Sequence, residues 1–115
     1  MAGLRDVVQG LAARADVDAV VVVSSDGLPI DSSGSLDAEA VAALAATFAN
    51  GAKRLGLAAE CAALSASVLE FGDRLAIVRP LGTEGHLFIL AAKATNIGPL
   101  LLDLRRQAPQ LATIL

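Results

Sequence analysis

The apolar residues of this chain switch repeatedly between helical and strand spacing, and that alternation limits what the chain can fold into more than any single motif does. Leu4, Val7, Val8 and Leu11 recur at i, i+3, i+4 and i+7 with Arg5, Asp6 and Gln9 between them. That spacing predicts a short amphipathic helix ending near Ala15. Ala19 to Ser25 is rich in valine and runs into Asp26-Gly27, a pair that readily takes the positive φ of a tight turn, so it should pair with a second strand over Leu28 to Ser33. Pro29 has no amide to give to a ladder and belongs at the start of that strand or on its open side.

Ser33-Gly34-Ser35 breaks the chain, and Asp37 is placed to cap a long second helix, with Leu36 and Val41 stapled across the cap. Val41, Leu44, Ala45, Phe48, Ala52 and Leu55 keep helical spacing and read as its core face, with Gly56 as the left-handed residue that closes it. From Ala62 the period becomes that of strands: Ala62 to Phe71, a Gly72-Asp73 turn, Arg74 to Arg79, a connection over Pro80 to Gly85, then His86 to Ala92. Thr95 or Asn96 caps a last helix that carries Ile97, Leu100, Leu101 and Leu104 on one face. Pro99 falls in its first turn, where a missing amide donor costs little, and Pro109 is expected to end it.

The order is α-β-β-α-β-β-β-α, which implies an α/β (α+β) fold: a five-stranded, mainly antiparallel sheet flanked by helices, in a single domain over residues 1–115. Apolar residues make up 55% of the chain, mostly Ala, Leu and Val, so the core is expected to be built from small aliphatic side chains.

Composition also excludes several functions. Twelve acids against nine bases give a net charge of -3, and the bases are scattered, which argues against a nucleic-acid partner. Cys61 is the only cysteine, so there is no intrachain disulfide, and a reducing, cytoplasmic setting fits. Arg5 and Asp6 interrupt the N-terminus, unlike a secretory signal. No apolar run approaches the roughly 20 residues that a spanning helix needs, so membrane insertion is not expected. Asp16, Asp18, Asp26, Asp31, Asp37 and Glu39 match no calcium loop, and neither a phosphate-binding loop nor a dinucleotide turn occurs. No cofactor, metal or catalytic residue is expected. Ser24, Ser25, Ser32 and Ser33 read as turn formers, His86 as a surface residue, Arg79 as a loop arginine and Cys61 as a small strand residue.

Two surfaces stand out instead. On the second helix the face away from Leu44 and Phe48 reads Ala42, Ala43, Ala46, Ala49, Asn50 and Lys53, small and weakly polar where a solvated helix would be charged. It would let another backbone approach closely, so these six residues are the expected partner-binding set. Ala46→Arg should then block docking with the fold intact, while Leu44→Ala should open a core cavity. The strand Ala62 to Val68 holds neither charge nor proline, and at a sheet edge it would need cover. Leu64, Ala66 and Val68 are therefore expected at a dimer interface.

The first hairpin, Val20 to Ile30, the alanine-rich helix from Ala38 to Leu55 and the Leu69-Glu70-Phe71-Gly72-Asp73-Arg74 turn together resemble the roadblock/dynein-light-chain family, in its bacterial MglB-like branch. The resemblance covers nearly the whole chain. It implies a non-enzymatic homodimer that serves as a binding platform for a small Ras-like GTPase, with stimulated GTP hydrolysis in some members, or alternatively a scaffold for a signalling or motor complex. It carries over no catalytic residue.

Overall fold

The structure, a computed structural model, describes residues 3–115. Its elements are α1 (Leu4–Ala12), β1 (Val17–Ser24), β2 (Pro29–Ser33), α2 (Ala38–Ala58), β3 (Ser67–Glu70), β4 (Arg74–Leu81), β5 (Gly85–Ala92) and α3 (Ile97–Ile114). The five strands form one sheet in the order β2-β1-β5-β4-β3, with every neighbouring pair antiparallel. The expected fold class is the observed one.

β1 explains its own valine run. Val20 and Val22 face α1 and α3, whereas Val21 and Val23 face α2, so a strand covered on both sides has no polar positions to alternate with. The α1/α3 side holds the larger core, where Val8, Leu11, Leu100, Leu104 and Leu111 meet Ile77, Leu87 and Ile89. The β1–β2 turn closes on Gly27, whose φ of 81° suits glycine, while Ser24 Oγ accepts a hydrogen bond from the Leu28 amide at 3.1 Å. Gly34 is fixed more tightly, since its φ is 109° and an added Cβ would sit 2.7 Å from the Asp18 carbonyl oxygen. Asp37 caps α2 by accepting from the Ala40 amide at 3.2 Å, and Pro29 opens β2, both as the spacing predicts.

Other boundaries differ. α1 ends at Ala12, short of Ala15. α2 runs through Gly56 to Ala58, and its left-handed closing residue is Glu60, at φ 58°. The Cys61 amide then bonds back to the Gly56 carbonyl at 2.9 Å, a closure that any residue tolerating positive φ can make. Pro109 lies inside α3 and does not end it, because Ala108 and Leu111 on either side are buried against the sheet and hold the helix together across the missing amide. β3 is four residues long, so residues 61–66 are irregular chain and Leu64 and Ala66 precede the strand.

Candidate docking surface

The two competing apolar stripes of α2 decide what the molecule shows to its surroundings. Ala42, Ala45 and Ala49 repeat at helical spacing, and so do Leu44, Phe48 and Leu55. The alanines are the ones that face the sheet: Ala42 and Ala49 are 0% exposed, and Ala42 and Ala45 pack with Val21 and Val23. Leu44 and Leu55 are each 70% exposed, Leu57 is 76% exposed, and Phe48 is also open. A methyl-sized contact brings the helix axis closer to the sheet than leucine would, and Leu44, Phe48 and Leu55 are left on a flank that faces outward.

This reverses the expected face. Ala42 and Ala49 are core residues and cannot meet a partner. Ala46 is half-buried against the same valine cluster, so Ala46→Arg would disturb packing before it tested docking. Leu44→Ala removes an exposed side chain and opens no cavity. Ala43, Asn50 and Lys53 are exposed and remain accessible as expected. Side-chain size is what misleads here, because the largest apolar residues are usually the buried ones. The alanine repeat was the available signal.

The exposed stripe continues into a groove. Phe48, Ala52 and Leu55 of α2 form one wall and residues 61–65 the other, enclosing an open, mostly apolar space of about 1230 Å³. Cys61, expected on a strand, lies exposed in this irregular segment. Next to the groove, β3 bonds only to β4 among the described residues, which leaves its outer edge with free backbone donors and acceptors. Val68 and Phe71 are exposed there, and Leu64 and Ala66 are half-buried.

The opposite flank of α2 is polar. Asn50 and Lys53 overlook a cleft against the β1–β2 turn (Ser25, Asp26, Gly27) and Thr83 of the β4–β5 turn. His86, expected at the surface, lies in this cleft and is only 8% exposed. Neither ring nitrogen has a hydrogen-bond partner among the described residues. Burial first, and the charge of Lys53 second, push its pKa below the ordinary histidine value. Arg79 is a half-buried β4 residue and not a loop residue, and burial together with the charge of Arg105 lowers its pKa from the usual arginine range.

Several acids have structural duties. Asp31 pairs with Arg5 at 2.8 Å, and Asp16 and Asp103 both pair with Arg14, at 3.4 and 2.5 Å. Among the described residues, no group of three or more His, Cys, Asp or Glu side chains could hold a metal ion, and no helix is long and apolar enough to cross a membrane.

The Roadblock/LC7 domain model matches residues 4–91. The chain belongs to the Roadblock/LC7 family. Among solved structures, a Roadblock/LC7 domain from Streptomyces avermitilis superposes with a TM-score of 0.87 at 22% identity, over 97% of each chain. Myxococcus xanthus MglB gives 0.82 at 19% identity, over 91% of this chain and 88% of that one. The gliding protein MglB of Thermus thermophilus gives 0.83 at 17% identity, over 99% and 93%. These likenesses establish the shared fold. A comparison with curated proteins finds no match.

Proposed function

We propose that this Roadblock/LC7 domain is a non-enzymatic regulator or adaptor that pairs with a second copy of itself and offers the paired α2 helices as a docking floor for a small Ras-like GTPase in the cytoplasm. One observation carries the reading: the exposed stripe Leu44, Phe48 and Leu55, its groove and the open β3 edge lie on one side of the molecule. Large apolar side chains at such exposure are costly in water, and contiguous patches of this kind mark protein interfaces. An unpaired strand beside them supplies backbone hydrogen bonds for a second copy of the same strand. Leu64, Ala66 and Val68 then belong to the self-association surface together with the stripe. Ala43, Asn50 and Lys53 belong to the floor.

Family membership supports a regulator or adaptor role, and one structural neighbour, at 17% identity and a TM-score of 0.84, is described as MglB with a tetrameric arrangement. A docked floor would act on the GTPase by favouring one arrangement of its switch loops. The test is single-turnover GTP hydrolysis by a Ras-like GTPase from the same genome, with and without this chain, alongside a direct binding measurement. Binding with a changed rate supports regulation, and binding at an unchanged rate makes the chain a scaffold. No binding to any such GTPase refutes the docking floor.

A further inference from the structure

The polar cleft on the other flank of α2 is built around a histidine. His86 on β5 is buried, both ring nitrogens are covered by protein atoms without a hydrogen bond, and the ring lies beneath an opening of about 610 Å³. Donors surround that opening. Lys53 forms no salt bridge among the described residues, and the Asn50 amide and the Ser25 and Thr83 hydroxyls line the same walls. Thr47 is already committed, donating to the Ala43 carbonyl at 3.0 Å.

The charge balance indicates which ligand fits. Lys53 on α2 and Asp26 on the β1–β2 turn are the charged groups lining the cleft, and they cancel while His86 is neutral. The β4–β5 turn contributes Thr83 to the lining and the first residue of β5 contributes Gly85, with Glu84 outside it. Protonating His86 leaves one net positive charge, which matches a monoanion. A phosphate dianion would keep one unbalanced charge and meet Asp26 as well.

We propose that this cleft is a carboxylate-binding site that receives an acidic side chain from the protein docked on α2, with His86 gaining a proton as the carboxylate seats. The proposal rests on the reading of α2 as a docking helix. Lys53 and Asn50 meet the carboxylate at the mouth of the cleft. The imidazole does not have to touch it, because a nearby negative charge favours the protonated ring through space. Proton uptake and carboxylate binding are therefore linked, and each strengthens the other. Docking tightens as pH falls from about 7.5 to 5.5, a range in which a carboxylate stays ionised.

Acetate serves as the probe. The His86 ring protons are followed by NMR through a pH titration in sodium acetate and in sodium chloride at the same ionic strength, about 0.1 M. Acetate should raise the His86 pKa by roughly half a unit or more, in a saturable way. Lys53→Met, at an exposed position that leaves the fold intact, should abolish the rise, and Asp26→Asn should enlarge it. Inorganic phosphate at pH 7.5 should compete poorly. An unchanged His86 pKa in acetate, or an equal rise in the Lys53→Met protein, overturns the proposal, and a stronger response to phosphate than to acetate overturns the choice of ligand. The readout needs no partner protein, so failure here is distinct from failure of the docking floor, which binding and GTP hydrolysis report.

Discussion

The two faces of the sheet are packed by different means. On the α1/α3 face, leucines and valines from both helices meet Val20, Val22, Ile77, Leu87 and Ile89, and the large side chains are inside. On the α2 face, Ala42 and Ala45 meet Val21 and Val23, and the large side chains of the helix are outside. β1 feeds both faces from alternate positions of one valine run, so the strand cannot account for the difference. The helices do. One face uses its apolar bulk to hold the chain together, while the other holds a helix close with methyl groups and leaves its bulk available to a second molecule.

The contrast is easiest to break on the α1/α3 face. Leu104 is fully buried, and Leu104→Ala should cost about 2–5 kcal/mol through lost transfer energy and the cavity left behind, measured by chemical denaturation. On the α2 face the sensitive change is the reverse one, since a helix seated on alanines has no room for larger groups. Ala49→Leu should cost about 1–3 kcal/mol through overpacking. If Ala49→Leu were neutral, the close seating of α2 would be wrong.

A smaller effect is expected from pH. His86 has a lowered pKa in the folded protein, so the unfolded chain binds that proton more tightly. Its contribution to stability is therefore complete above the ordinary histidine pKa of about 6.5 and is lost as pH falls through that value toward the folded pKa. Denaturation midpoints between pH 8 and pH 5 should decline below that point. His86→Phe, which replaces the imidazole with an aromatic ring that does not titrate, should flatten the decline. The smallest effect belongs to Leu44→Ala: as an exposed residue it should change the stability of a single chain by no more than about 0.5 kcal/mol. Any larger loss should depend on protein concentration, because it would report a lost partner contact.

Much of this architecture is legible in the sequence. Period changes located all eight elements, Asp26-Gly27 marked a turn, and Asp37 marked a cap, because these features act within a few residues of chain. What could not be read depended on tertiary contacts. Whether the alanines or Leu44 and Phe48 faced the sheet was set by how closely α2 approaches it, and α3 continues past Pro109 because Leu111 has a buried seat on the sheet. His86 reads as a surface residue at a strand start, but it sits between β1 and β4 in a cleft walled by α2 and the β1–β2 turn, and those contacts bury it. Of the six α2 residues expected to meet a partner, Ala42 and Ala49 are buried and Ala46 is half-buried, while Ala43, Asn50 and Lys53 are exposed.

Self-association tests the central claim most directly. Light scattering across the micromolar range should give the mass of two chains for the wild type. The Leu44→Asp/Phe48→Asp double variant should give the mass of one chain, with its helical and strand content unchanged by circular dichroism. A wild type that keeps the mass of one chain throughout that range would contradict the account, because the exposed stripe and the open β3 edge would then have no second copy to cover them.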